Sequence, residues 1–286
     1  MEEARTQSVL HALINLARDT SYACCRCMLE NSLFTHLKIL WKDVPESSEL
    51  CLEIGWLTAC VYNREETFLE HADQYWAVLN FVTGKLLHFS LLPDSDWKEK
   101  VMTPCLVCCG NMLGLSPEIT LVASDLPPFL PAVKACLSSR SDIILRHTVW
   151  VLTNFTAEPS CRVMVICHSD LRTKLFALCT QQNWEIVAEV LHLLEGMVRV
   201  SSEMNQLLVK QGVLGYLNNL LNHPSSGIVE QALGILEALL VDLKSLEQPS
   251  VFQAVQNLTI ASFDNKLVER ARALKEYLLS QSNNYS

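Results

Sequence analysis

The sequence predicts an all-α fold built as a solenoid of stacked repeats. Three observations carry this reading. Half of the 286 residues are hydrophobic, yet only 9 Gly and 10 Pro occur. Leu-rich helices are therefore favoured over strands and turns. Charged residues make up 19% of the chain, which argues for a packed core rather than disorder. Finally, one kind of segment returns along the chain at intervals of about 42 residues.

The repeat is anchored on "VWVLTNFTAEP" (149–159), where Trp150 and Asn154 stand four residues apart and share one helix face. "LHALINLARD" (10–19) aligns Asn15 with Asn154. "GWLTACVYN" (55–63) aligns Trp56 with Trp150 and Cys60 with Asn154. "VCCGNMLGLSP" (107–117) aligns Asn111 with Asn154. Downstream, "VLHLLEGMVRVSS" (190–202) and "ALGILEALLVD" (232–242) hold similar places, and "RARALKEYLLS" (270–280) is the last copy. In the later copies two phases compete. One sets Gly196 and Ala238 opposite Asn154, the other Glu195 and Glu237. The period lies in the range of armadillo and HEAT repeats. The expected architecture is thus an armadillo/HEAT-type right-handed superhelical solenoid of about six repeats. It forms a single domain over 1–286 that opens within a third helix, as a shortened product of a longer protein would.

The elements follow in order. The chain begins on a third-helix segment. "LLPDSDWKEK" (91–100), inside the long interval, is expected to be a surface loop. "PCLVCCGNMLGLSPEITLVA" (104–123) is apolar, but Pro117 and Glu118 interrupt it. It reads as a buried helix followed by a turn, not a membrane span. "EPSCRVMVICHSD", "LRTKLFALCTQQ" and "WEIVAEVLHLLEGMV" form one three-helix unit. The next unit has a helix over 201–212, with Ser201 or Ser202 as N-cap and Gly212 at its stop, then helices over 213–227 and 228–242. "NKLVERARALKEYLLS" (265–280) is a polar-faced cap. The tail 280–286 is expected to fray.

At "KQGVLGYLNNLL" and "VWVLTN" the chain resembles the armadillo repeats of the importin-alpha family, adaptors that carry nuclear-localisation peptides. The resemblance covers most of the chain. It implies a non-catalytic adaptor in nuclear protein import, located in cytoplasm and nucleus, that binds basic peptides in a concave groove. It implies the peptide-binding residues Trp150, Asn154, Asn111, Trp56 and Asn15: each Asn amide pins the backbone of an extended peptide, and Trp rings form slots for Lys stems. Only Trp150–Asn154 is an intact pair. Asn15 and Asn111 have His11 and Val107 where Trp is expected, Trp56 has Cys60 in place of the amide, and beyond residue 160 both features vanish. The alternative is an armadillo scaffold that reads no peptide, with membrane association motivated only by 104–123.

Other classes find little support. The net charge of -9 disfavours nucleic acid and suits a basic partner. Cys24/Cys27 and Cys105/Cys108 form C-x-x-C pairs, but both lie in apolar helical stretches without the turns of a zinc knuckle. Most of the 12 Cys read as small core hydrophobes of a reduced, intracellular protein. "GNMLG" (110–114) is a Gly pair in a helix, not a phosphate loop, and no catalytic motif is present. Neither cofactor nor metal is expected.

Overall fold

The computed structural model describes the chain except residues 1, 19–21, 199, 243–251, 254, 258, 260–264 and 284–286. Among the described residues every regular element is helical. Two compact units are present, 1–161 and 162–286.

The first unit holds α1 (Glu2–Arg18), α2 (Tyr22–Glu30), α3 (Leu33–Asp43), α4 (Glu49–Val61), α5 (Glu65–Ser90), α6 (Asp96–Leu113), α7 (Pro117–Asp125), α8 (Phe129–Cys136) and α9 (Asp142–Phe155). The long helices α1, α4, α6 and α9 stack in that order, each on the next, as the rungs of a ladder. α5 packs on α6 and α8, and α8 also meets α9. The long interval before Asn111 has a simple cause. α5 runs for 26 residues and merges a short first helix with a long second one across a kink at His71 (φ -136°, ψ 36°).

Serines set the rungs. Ser48, Ser95 and Ser141 cap α4, α6 and α9, each hydroxyl accepting from a backbone N–H at 3.1–3.2 Å. This corrects the expected loop at 91–100. Ser95 caps a helix that begins at Asp96, so only 91–95 is non-helical. Asp96 and Glu99 in its first turn favour the same start. The apolar window 104–123 divides as expected, into the end of α6, a turn, and α7 capped by Ser116 with Pro117 at its first position. No described helix is long and apolar enough to cross a membrane. Pro104 sits inside α6 against Gly55 of α4, where a Cβ would lie 2.9 Å from the ring.

The core of this unit is aromatic. Phe34, Trp41, Tyr62, Phe68, Tyr75 and Phe81 meet edge to face at centroid distances of 4.9–6.2 Å. Cys105, Cys108, Cys109 and Cys136 are buried beside α6 and α8 as small apolar groups.

The division between the units falls inside α10 (Pro159–Cys167). The second unit continues with α11 (Ser169–Ala177), a 3-10 turn (Leu178–Thr180), α12 (Trp184–Val198), α13 (Ser202–Lys210), α14 (Val213–Leu220), α15 (Ser226–Asp242) and α16 (Asn265–Asn283). Ser201 is the N-cap of α13, accepting from Met204 N–H at 3.2 Å. Gly212 turns the chain at φ 87°, a left-handed conformation that glycine adopts without strain. The core is aliphatic, with Val187, Leu191, Leu194, Leu208, Leu217, Leu233 and Leu236 all buried, and α12 stacks on α15. α16 lays Leu267, Ala271 and Leu274 inward and leaves most of its polar residues accessible. It runs to Asn283, further than the fraying expected from 280; residues 284–286 lie outside the described chain.

Candidate functional site

The rung helices show a common burial pattern. Along α4 the half-exposed positions are Leu52, Trp56 and Cys60, and along α6 from Val101 onward they are Thr103, Val107 and Asn111, with only buried residues between them. A spacing of four keeps one narrow stripe per helix in reach of solvent. On α9, Trp150 and Asn154 are half-exposed while Val149, Val151, Leu152 and Phe155 are buried. Asn15 is exposed on α1. All five residues singled out in the sequence therefore lie on the accessible stripe of their own helix.

The intact pair is seated on the rung below it. The Asn154 amide Nδ2 donates to the Gly110 carbonyl of α6 at 2.8 Å. The benzo edge of Trp150 covers the same residue: a Cβ on Gly110 would lie 2.1 Å from Cζ3 and 2.5 Å from Cε3. Trp150 also meets His147 edge to face, 6.3 Å between centroids. Among the described residues no hydrogen-bond partner is recorded for Asn154 Oδ1, the Trp150 Nε1–H or the Asn111 amide. These are an acceptor, a donor and a two-way amide, the last on the residue that follows Gly110. Trp56 and Asn15 stand on α4 and α1, without a contact that joins them to this group.

Two features escaped the sequence reading. The first is at the α1–α4 rung, where a Trp is expected and His11 stands. His11 Nε2 is 2.7 Å from Glu53 Oε1, and Gln7 Nε2 donates to the same oxygen at 2.9 Å. Glu53 is buried, and its Oε2 has no partner among the described residues. A glutamate in the apolar run "ELCLEIGWL" was the available signal.

The second feature belongs to the second unit. The rung stripe of α15 carries Glu230, Gln231, Gly234, Glu237 and Ala238, and that of α12 carries Glu195 and Gly196. Both competing alignments therefore fall on the accessible face. Arg270 of α16 lies against Gly234, its Nη2 3.2 Å from a Cβ placed there. It holds Glu237 by two contacts, Nη2–Oε2 at 2.7 Å and Nε–Oε1 at 3.2 Å, and reaches Glu230 at 3.5 Å. The hydrogen bond to Glu237 raises the guanidinium pKa further. Glu195, Val198, Glu230, Gln231, Gly234, Ala238 and Arg270 line a pocket of about 330 Å³. Its chemistry is charge, where that of the first unit is ring and amide.

Among the described residues no group of three or more His, Cys, Asp or Glu is placed to hold a metal ion.

The sequence matches no protein-family model and no curated protein. Solved structures do match. A designed armadillo repeat protein in complex with the peptide (KR)4 is 20% identical, with a TM-score of 0.66 over 82% of this chain and 92% of its own. A computationally designed armadillo repeat protein for modular peptide recognition is 19% identical, also at 0.66, over 81% and 92%. Another designed armadillo repeat protein, 13% identical, gives 0.55 over 93% and 98%. At these identities the likeness is one of fold, and the chain is an all-α armadillo-repeat solenoid.

Proposed function

We propose that this chain is a non-catalytic protein-binding adaptor of importin-alpha type that holds an extended basic peptide along its rung stripes, in the service of nuclear protein import. The observation that carries the reading is the Trp150–Asn154 pair on Gly110, with Asn154 Oδ1, the Trp150 Nε1–H and the neighbouring Asn111 amide unpartnered among the described residues. An extended peptide offers backbone N–H and C=O groups to amides of this kind, and a Lys or Arg stem can lie on the half-exposed indole. The net charge of -9 favours a basic ligand. A protein of similar fold is in complex with (KR)4. Cytoplasm and nucleus are the compartments this role implies.

A second reading is supported by a specific observation. Asn154 already spends one of its two amide protons on Gly110, and Val107 and Cys60 stand where a full ladder needs Trp and Asn. One pair contributes about 1–3 kcal/mol, whereas micromolar binding needs roughly 8 kcal/mol. On that reading the chain is an armadillo scaffold that docks folded proteins. Fluorescence anisotropy of labelled (KR)4 against the full chain separates the two. The adaptor reading expects saturable binding in the micromolar range that Trp150→Ala and Asn111→Ala both weaken. Binding that is absent, or indifferent to both substitutions, leaves the scaffold.

A further inference from the structure

We infer that Gly110 is the positioning residue of the Trp150–Asn154 pair, which makes the pair a device of two rungs rather than a property of α9 alone. The argument begins with what Gly110 is not. It is neither a cap nor a turn: it lies inside α6, and its φ is not positive. Glycine in a helix interior is a poor choice on propensity, and alanine there should strengthen the helix. The residue is buried beneath another helix, and the three atoms nearest to its missing Cβ all belong to the indole. Cζ3, Cε3 and Cη2 of Trp150 would stand 2.1, 2.5 and 2.6 Å from that carbon, closer than packed atoms ever come.

The same residue fixes the amide. Its carbonyl takes the Asn154 Nδ2 proton at 2.8 Å. That bond settles which end of the amide points inward and presents Oδ1, not Nδ2, away from α6. Ring and amide thus share one backbone seat, and the seat precedes Asn111 in the chain. A side chain at 110 would lift the ring, move α9 relative to α6, and lengthen the amide bond in one step. Gly84 of α5 is the contrast: a Cβ there meets nothing within 4 Å.

This inference rests on the peptide-binding reading for its functional meaning, but its test does not. Gly110→Ala and, as a control, Gly84→Ala are made in the full chain labelled with 5-fluorotryptophan, the Trp150 resonance being assigned from Trp150→Phe. Gly84→Ala should melt at or above the parent temperature. Gly110→Ala should melt below it, shift the Trp150 fluorine resonance, and weaken (KR)4 at least tenfold. The double variant Gly110→Ala/Trp150→Ala should melt no lower than Trp150→Ala alone, because the clash has gone. Should Gly110→Ala fail to fold, that double variant decides: recovery of the fold supports the role, and continued failure overturns it. A Gly110→Ala protein with parental melting and an unmoved Trp150 resonance also overturns it. If the parent chain never binds (KR)4 while the resonance and the rescue respond as stated, the peptide reading fails and the positioning role stands.

Discussion

The two units use one rung geometry to present opposite chemistry. In 1–161, the largest side chain that reaches across to a glycine of the neighbouring rung is Trp150, over Gly110. In 162–286 it is Arg270, over Gly234. Beside the first stand amides, Asn111 and Asn154; beside the second stand carboxylates, Glu230 and Glu237. The cores differ too, aromatic and thiol-rich in one unit and aliphatic in the other. The lesson is that a glycine seat on a rung can take an indole or a guanidinium, and that not every rung fills it: a Cβ at Gly196 of α12 would meet nothing within 4 Å. Each unit can then be probed separately.

The largest expected effect is on the cores. Burial pushes the thiols of Cys105, Cys108 and Cys109 well above their ordinary value and that of Cys136 up to about 12. In the second unit Cys179 is pushed up to about 12 by the same cause. A folded pKa above the unfolded one means stability that is whole below about pH 9 and lost as pH climbs toward 12, at about 1.4 kcal/mol per thiol per pH unit. Four such thiols in one unit against one in the other predict that 1–161 opens first in alkali. Hydrogen exchange at pH 8 and after a pulse at pH 10.5 should show protection lost over α6 and α8 before α12 and α15. Simultaneous loss would mean that the cores do not differ in this respect.

Trp150→Ala comes next. It removes a half-buried indole together with its seat, so about 2 kcal/mol of stability should go, less than for a fully buried Trp. A cationic peptide should lose a further 0.5–2 kcal/mol or so of binding. A thermal melt and a (KR)4 titration read the two losses. A melt that falls without any change in affinity would make the ring a packing residue only.

Asn154→Ala is smaller and corrects an expectation. The sequence offers Asn154 as an accessible amide free for a peptide. The structure gives it a bond to Gly110, so the substitution should cost about 1 kcal/mol of folding stability even without ligand. A melting temperature equal to that of the parent would show the bond to be replaced by water.

How much of this was legible in the sequence divides along the same line. The solenoid was legible because a third helix is apolar on several sides, and its period survives substitution of any one residue. The accessible stripe was legible through Trp150 and Asn154, whose polarity contradicts the helix around them. Gly110 was seen only as half of a Gly pair in "GNMLG", since a glycine's purpose lies in the atom that covers it, here 40 residues away in the chain. Glu53 and Arg270 were missed for a related reason. Their partners Gln7, His11, Glu230 and Glu237 sit on other helices, and the repeat, read from its Trp and Asn positions, says nothing of what stands at the neighbouring ones. The loop at 91–100 was overextended because the cap at Ser95 looks, as sequence, like one more turn residue.

The smallest effect sharpens the comparison most. Arg270 is about one-third exposed and its partners are on the surface. Removing it should move stability by no more than about 1 kcal/mol. Arg270→Gln keeps the length and the polarity of the side chain while deleting its charge. Glu230 and Glu237 then face the pocket without their cation, and the local potential becomes more negative. If a basic peptide runs onto the second unit as well as the first, (KR)4 should bind the variant two- to threefold more tightly at low salt. The gain should fade by about 0.5 M salt, where charges more than a few ångströms apart are screened. If the peptide engages the first unit alone, affinity stays at the parental value at every salt concentration, and the acidic stripe of α15 belongs to α16 rather than to a ligand. Trp150→Ala supplies the counterpart, since a contact with an indole face should depend less on salt than one with two carboxylates. The salt profiles of the two variants, measured side by side, assign the peptide to one chemistry or to both.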